Sequence, residues 1–319
     1  MLKIALDALG GDHAPSVIVE GAVWAAKEYA DLFKIILCGP TAVIQAELDR
    51  LEFVNNGEIE IVDAPQIVAM DESPSDVLKT KQESGLVKCV ALQKAGLAHA
   101  SVSAGNSGAM MASCLMILGR AGRISRPAIA SLMPTIGHKC LMLDLGANVD
   151  EKPSTLLDFA ICGNLFAKHV MGIESPRIGL LNMGEEEKKG TESVREAYQL
   201  LKASSMNFVG NVEGRGFLKG EADVVVTPGY TGNVVLKMME GFFDLHKANF
   251  GDLDTPASRK FNEEWDYENY GGALLLGLNG TGIIAHGRAE AKAIKVALKT
   301  AYDFAKSKVS EKIAAHLSE

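Results

Sequence analysis

ADVVVTPGYTGNVVLK, residues 222–237, decides how the chain is read. Val224–Val226 is a short β-branched run and predicts a buried strand. Thr227-Pro228-Gly229-Tyr230-Thr231-Gly232 predicts a turn, because proline and glycine interrupt both regular structures. From Asn233 the apolar residues Val234, Val235, Met238, Met239, Phe242 and Phe243 recur at helical spacing, so a helix is expected from Asn233 to about Asn249. Strand, glycine-bearing turn and helix N-terminus together make an anion site. The first N–H groups of a helix lack partners and carry a partial positive charge.

The same arrangement recurs upstream. Ala100-Ser101-Val102-Ser103 reads as a strand, Ala104-Gly105-Asn106-Ser107-Gly108 as a turn, and Ala109 to Leu115 as a helix. Both turns contain Gly-x-Ser/Thr-Gly, at Gly105–Gly108 and Gly229–Gly232. Gly105, Asn106, Ser107, Gly108, Gly229, Thr231 and Gly232 are therefore candidates to hold a phosphate and an acyl carbonyl. Either turn taken alone reads first as an ordinary tight βα connection, since a bare glycine motif is a weak signal.

At 319 residues the chain is long enough for one large α/β unit or two subdomains. A hydrophobic content of 47% and a charged content of 23% are those of a soluble globular protein. The net charge of −8 gives no bulk attraction to nucleic acid or anionic lipid, so an acidic partner needs a local basic patch. Cys38, Cys89, Cys114, Cys140 and Cys162 lie in mainly apolar segments without a C-x-x-C pair, which favours buried reduced thiols in a cytosolic protein over a disulfide frame or metal site. The N-terminus turns acidic too soon for a signal peptide, and no 18-residue apolar stretch predicts a membrane span.

In chain order, strands are expected at Lys3–Ala8, Ile35–Cys38 and Ile59–Val62, with helices at Val17–Tyr29 and Thr41–Leu51 between them. That alternation predicts a mostly parallel, doubly wound sheet covered on both faces. Asp12 through Pro15 reads as a helix start. Asp12 and His13 could bind phosphate or carry a proton, or serve only as cap and turn. A helix is expected from Ser73 and another over Ser84–Gly96. Arg120, Arg123 and Arg126 fall within seven residues of an acidic chain. Their forks suit phosphate or carboxylate, or they form a solvated turn.

Ser131–Pro134 and Cys140–Leu145 read as a hairpin around Gly137, Gly146–Asp150 as a polar loop, and Leu156–Val170 as a helix. Ile178–Leu181 is a buried strand that runs into Asn182-Met183-Gly184-Glu185-Glu186-Glu187-Lys188-Lys189-Gly190. In open α/β sheets ligands bind beyond the carboxyl ends of strands, so a lysine from this loop can meet an anion held there. The stripe on the helix after Asn233 predicts a core or dimer face, or one that meets a membrane surface or partner. Thr281–Ala285 reads as a strand and Ala289–His316 as one long helix.

Eight stretches carry a resemblance that spans nearly the whole chain. They are IALDALGGDHAP (4–15), SAGNSGA (103–109), RPAIASLMP (126–134), LDLGANVD (143–150), LLNMGEEEKKG (180–190), NFVGNVEGR (207–215), ADVVVTPGYTGNVVLK and GGALLLGLNG (271–280). In this order they resemble the bacterial phosphate acyltransferases of phospholipid synthesis, the PlsX family. Ser107 stands where threonine is common, and Arg288-Ala289-Glu290 departs from the usual serine-rich stretch.

The resemblance implies transfer of a fatty acyl group from the acyl carrier protein thioester to inorganic phosphate. The acyl phosphate product is used next by a membrane glycerol-3-phosphate acyltransferase. It also implies a homodimer, a fold similar to the isocitrate and isopropylmalate dehydrogenase group, no nicotinamide or tightly bound cofactor, and a cytoplasmic enzyme peripherally associated with the membrane. Two joined subdomains are expected, 1–100 with 275–319 and 101–274.

Phosphate is itself the nucleophile in such a reaction, so the chain needs donors for two anions and an oxyanion. Asn233 is the expected oxyanion donor. Lys189, in preference to Lys188, is expected to neutralise phosphate and the departing thiolate. Arg120, Arg123 and Arg126 are candidates for docking the acidic carrier, and Phe242 and Phe243 for membrane contact. Competing readings are a phosphotransacetylase using coenzyme A thioesters, a dehydrogenase on the related fold, and a non-catalytic phosphate- or lipid-responsive scaffold. The dehydrogenase lacks support because no G-x-G-x-x-G follows the first strand.

Overall fold

The computed structural model describes residues 1–149, 151–251, 253 and 255–318, with the side chains of 267 and 268 set aside. Asp150, placed in the polar loop by its sequence, lies outside the described residues. The first third of the chain runs β1 (Leu2–Asp7), α1 (Ser16–Glu28), β2 (Phe33–Gly39), α2 (Thr41–Arg50), β3 (Ile59–Asp63), α3 (Pro74–Thr80), α4 (Gly85–Lys94), β4 (Ala100–Ser103) and α5 (Ser107–Ser113). A π-helical turn, Cys114–Leu118, follows. Then come β5 (Ala128–Pro134), β6 (Lys139–Leu143), α6 (Pro153–His169), β7 (Ile178–Leu181), α7 (Glu192–Ala203), β8 (Phe208–Val212), α8 (Gly214–Leu218), β9 (Val224–Val226), α9 (Gly229–Phe250) and α10 (Pro256–Trp265). The chain ends with β10 (Ala273–Leu276), β11 (Gly282–Ile284), α11 (Ala291–Ser307) and α12 (Val309–His316).

Two compact units emerge, Met1–Arg120 with Tyr270–Glu311, and Ala121–Asn269 with Lys312–Glu319. The first boundary falls later than the expected break after residue 100. The reason is that β4 pairs in parallel with β1 and β11, which commits the Gly105 corner to the first unit.

In the first unit the strand order is β3-β2-β1-β4-β11-β10, parallel except for the β10–β11 pair. Ile4–Asp7 and Ala100–Ser103 are buried without alternation, as parallel strands covered on both faces must be. Helix α1 comes so close to α11 that a Cβ on Gly21 would lie 2.6 Å from both the Ala291 carbonyl and Ile294 Cβ. Ser84 caps α4 by accepting the Val87 N–H. Asp12 does not cap α1. That helix begins at Ser16, after Pro15, with no side-chain cap.

In the second unit the order is β5-β6-β9-β7-β8, again parallel except at one pair, the β5–β6 hairpin. Gly137 makes that hairpin's turn with φ +94°. Helix α6 crosses β9 at Gly163, where a Cβ would meet Val224 Cγ1 at 2.5 Å. Helix α7, absent from the sequence expectations, lies beside α6 and buries Val194, Ala197, Tyr198 and Leu201. Helix α10 and strands β8 and β10 were likewise unanticipated.

Two helices differ most from expectation. Helix α9 starts at Gly229, not Asn233, so Gly229, Thr231 and Gly232 form its first turn. The long C-terminal helix is two helices, α11 and α12, because Lys308 adopts the left-handed conformation at φ +54° and stops α11 there.

The apolar residues of α9 divide between two faces. Val235, Leu236 and Met239 pack on the core formed with Met142, Leu181, Val212 and Val225, and Phe243 is buried as well. Val234, Met238, Phe242 and Leu245 face solvent, Met238 with three-quarters of its surface exposed. Phe243 is therefore a core residue and makes no surface contact, whereas Phe242 is half exposed with its ring edge-on to Trp265.

Candidate functional site

Each unit builds a corner where a strand ends and a helix begins. In the first unit β1 ends on Asp7, whose carboxylate is buried. Asp7 Oδ2 accepts a 2.8 Å hydrogen bond from the Ser103 hydroxyl, and Ser103 Oγ in turn accepts the Gly105 N–H at 3.0 Å. A Cβ on Gly10 would lie 2.5 Å from Asp7 Oδ2 and 2.7 Å from the Gly105 nitrogen. Glycine there provides clearance for the carboxylate.

Helix α5 starts directly after this chain of bonds. Asn106 Oδ1 accepts the Ala109 N–H at 2.9 Å, and its amide donates to the carbonyls of Ala69, Met70 and Glu72. Both ends of the Asn106 side-chain amide are spent on main chain, so the expected role of that side chain as a phosphate ligand is corrected to that of a clamp between α5 and the 69–72 loop. The N–H groups of Ser107 and Gly108 head the helix on an exposed surface with no partner among the described residues. Asp12 and His13 are exposed nearby: the Asp12 N–H donates to the Gly287 carbonyl at 2.7 Å, and the His13 carbonyl receives the Val17 N–H and the Ser16 hydroxyl.

In the second unit β6 ends at Leu143 and is followed at once by the buried Asp144. Its Oδ1 accepts N–H groups from Ile129 (2.9 Å) and Ala147 (3.1 Å), and its Oδ2 accepts the main-chain and side-chain N–H of Asn148. Burial pushes the Asp144 carboxyl above the usual carboxylate range, while these bonds pull it back. Helix α9 begins against this acid. A Cβ on Gly229 would fall 2.2 Å from the Asn148 carbonyl, and one on Gly232 would fall 1.9 Å from the Asp144 carbonyl. Among the described residues neither these glycines nor Gly105 and Gly108 has a positive φ. The four serve close approach or a helix start, not the turn conformation their sequence suggests.

The Gly229 N–H is already engaged, donating to the buried Glu151 carboxylate at 2.8 Å. It is not open to a ligand, which corrects the expectation for that group. The next two N–H groups, of Tyr230 and Thr231, lack partners among the described residues and are exposed. One turn on, the Asn233 side chain lies on Gly146, at 3.2–3.3 Å from where a Cβ would stand. Gly146 has φ +119°, a conformation that suits glycine. No hydrogen bond engages the Asn233 amide among the described residues.

The 182–190 loop leaves the carboxyl end of β7, as expected, and exposes both Lys188 and Lys189. Neither ammonium is in an ion pair among the described residues. The Lys189 stem lies over Gly184, where a Cβ would be 3.1 Å from its Cγ, and its carbonyl is held by the Asn182 amide at 3.1 Å. The three arginines do not form one cluster within a unit. Arg120 closes the first unit's long segment and bridges to Leu278, while Arg123 and Arg126 open the second. Arg123 lies near Asp158, and Arg126 donates to Asn148 Oδ1 at 3.5 Å beside the Asp144 corner.

Asp7, Ser103, Asp144, Asn148, Glu151, Asn182 and Asn211 were not singled out by sequence. One signal was there: both corners carry an acid that closes an apolar strand two or three residues before a glycine, Leu6-Asp7-Ala8-Leu9-Gly10 and Leu143-Asp144-Leu145-Gly146. The five cysteines are free and buried, which leaves none of them accessible as a nucleophile, and burial pushes the Cys114 thiol up to about 12.

Residues 2–312 match the family described as fatty acid synthesis protein. A phosphate acyltransferase of Trichlorobacter lovleyi is 45% identical, covering 100% of this chain and 95% of its own. One from Heliobacterium modesticaldum is 46% identical, covering 94% of this chain and 93% of its own. Among solved structures, a phosphotransacetylase from Streptococcus pyogenes aligns with a TM-score of 0.66 at 20% identity, over 96% of this chain and 94% of that one. A 4-hydroxythreonine-4-phosphate dehydrogenase from Klebsiella pneumoniae aligns at 0.52 and 14%, over 100% and 99%. Both share the α/β fold, the second in accord with the expected kinship to a dehydrogenase fold.

The Asp7 corner has a measurable signature. Burial lifts the Asp7 carboxyl from 3.8 to about 6, against the lowering bonds from Ser103 and Leu9. Between those values the native chain holds a proton that the unfolded chain has lost. Stability therefore falls as pH rises from about 4 to about 6 and levels off above. Asp7→Asn should remove this contribution. On going from about pH 7 to about pH 5, the parent's unfolding midpoint should gain more than the variant's. Parallel curves would mean that Asp7 stays ionised in the native chain.

Proposed function

The chain belongs to the fatty acid synthesis protein family and is a phosphate acyltransferase of fatty acid and phospholipid synthesis; on that premise we propose that it moves a fatty acyl group from acyl carrier protein to inorganic phosphate. A phosphate oxygen attacks the thioester carbonyl, the new C–O bond forms, and the C–S bond breaks through a tetrahedral oxyanion. The carrier leaves as thiolate and takes up a proton. No side-chain nucleophile is needed, which suits a chain whose described thiols are all buried.

The observation that carries the reading is the unengaged Asn233 amide, held on Gly146 near the head of α9. It can donate to the oxyanion, together with the Tyr230 and Thr231 N–H groups. Lys189 meets the negative charge of phosphate and of the departing thiolate. Its clamped stem and carbonyl favour it over Lys188. In the first unit the Ser107 and Gly108 N–H groups offer a second anion corner, with Asp12 and His13 beside it. The acyl phosphate would be consumed by a membrane glycerol-3-phosphate acyltransferase. The active form would be a homodimer without a tightly bound cofactor.

Thiol release from acyl carrier protein, followed with and without phosphate, tests the assignment. Asn233→Ala and Lys189→Ala should fold normally and lose about 100- to 1000-fold in rate, the usual effect of removing one preorganised donor. Unchanged turnover in both would refute the roles. Faster release from coenzyme A thioesters than from the carrier would favour the coenzyme A reading, and binding without release would favour a scaffold.

Arg123 and Arg126, exposed and flanked by Arg120 along the chain, are proposed to dock the acidic carrier. Arg126 also borders the Asp144 corner through Asn148, so docking and positioning overlap there. Reversing the charge at Arg123 alone should raise the KM for carrier protein about tenfold and leave phosphate saturation as it was. An unaltered carrier KM would remove Arg123 from the docking surface.

No helix among the described residues is long and apolar enough to cross a membrane. The exposed face of α9, Val234, Met238, Phe242 and Leu245, is proposed to rest on the membrane surface, with Phe242 retained from the sequence expectation and Phe243 not. Met238→Gln with Phe242→Gln should lower co-flotation with anionic phospholipid vesicles and preserve turnover in solution. Equal flotation of variant and parent would end this proposal.

A further inference from the structure

The loop that carries Lys188 and Lys189 is tied to α7 on its exposed side, where Glu187 accepts the Tyr198 hydroxyl at 3.3 Å and pairs with Lys202, and where the Gly190 carbonyl accepts from Arg195 at 2.7 Å. Glu185 through Lys189 are all exposed, and the segment contributes no buried apolar side chain of its own. Its main chain is pinned at two further carbonyls. Glu186 O accepts the Lys189 N–H at 3.0 Å and the Asn211 amide at 2.9 Å, and Lys189 O accepts the Asn182 amide at 3.1 Å. We infer that Asn211, seconded by Asn182, is a positioning residue for the acyl transfer, fixing the Lys189 loop through the Glu186 carbonyl. The inference rests on the role proposed above for Lys189.

Local structure aims Asn211 at this task. Strand β8 pairs with β7 at Ile178–Phe208, then skips Val209, so that Gly179 faces Gly210 and Leu180 faces Asn211. Gly210 takes φ +97° at the irregularity. A shift of one residue reverses which face each later side chain takes, so the bulge sets the side on which Asn211 emerges. Asn211 is then 93% buried, and its Oδ1 has no donor among the described residues. An apolar residue would suit so enclosed a strand position without an unpaired oxygen. What the asparagine supplies, and an apolar residue cannot, is the N–H that reaches Glu186. Only the donor end of the amide can face a carbonyl, which fixes its orientation.

Asn211→Asp keeps the shape and replaces that donor by an acceptor. At about pH 8 the ionised aspartate repels the Glu186 carbonyl, and kcat/KM for phosphate should fall about 10- to 100-fold, the scale of an ångström-sized misplacement. Trypsin cleavage after Lys188 and Lys189 should accelerate in the same variant more than cleavage elsewhere in the chain, since an unpaired buried carboxylate also lowers the unfolding midpoint. As pH falls towards 5, a protonated aspartate regains an O–H donor, and kcat/KM relative to the parent should recover. Should Asn211→Asp not fold, Asn182→Asp, at a partly exposed site, takes the same measurements at the Lys189 carbonyl. Parent-like cleavage would overturn the inference, whatever the activity. So would faster cleavage with unchanged kcat/KM. Full activity of Lys189→Ala would instead remove the role of the lysine, while the cleavage rates would still report whether the asparagines hold the loop.

Discussion

A buried carboxylate at the end of a strand is the constraint on which each unit depends. An acid removed from water is costly unless its lone pairs find donors, so the main chain around it must supply them. Asp7 draws in Leu9 and Ser103, and through Ser103 the Gly105 N–H. Asp144 draws in Ile129, Ala147 and Asn148. In both cases the loop that satisfies the acid adjoins the head of a helix, and the acid leaves no room for side chains there. Gly10 and Gly85 clear Asp7, while Gly229 and Gly232 clear Asp144 and its carbonyl. Donors and clearances together locate the helix ends, whose remaining N–H groups are what a phosphate or an oxyanion would meet.

Asparagine shows how one residue type takes opposite parts. Asn106 spends both ends of its amide on main chain, capping α5 and gripping the 69–72 loop. Asn148 is tied between Asp144 and Pro127. Asn233, on the exposed side of α9, is left with its donors open. What separates a clamp from a ligand is the count of neighbours already bonded to it, a property of the folded chain that spacing along the sequence does not carry.

Much of the architecture was legible in sequence for physical reasons. Parallel strands are unbroken apolar runs such as Val224–Val226 and Ile178–Leu181, and the helices between them show a clear period. The two glycine corners and the lysine loop were placed correctly beyond strand ends. What escaped was information held in three dimensions. Gly229 and Gly232 read as turn formers, yet they are helical residues that allow close approach. The stripe from Val234 to Phe243 read as one face, but its period covers an inner row and an outer one. Helix α7, with its polar exposed side, was obscured by the charged loop before it, and α11 and α12 were fused because a single left-handed residue, Lys308, leaves no apolar gap. The acids beneath the corners were passed over because a lone aspartate after a strand is an unremarked feature of many turns.

The placement of sulfur has a practical side. All five sulfhydryls are interior, and none forms a disulfide. A soluble aromatic disulfide dye added to the native enzyme would find nothing on it to label. In the proposed reaction, colour developing during turnover would then come from the released carrier thiol alone, without a blank rising underneath. The same dye in an idle sample becomes a clock: each sulfur that reacts marks an opening of the interior, and the order in which the five respond would map which parts of the molecule loosen first.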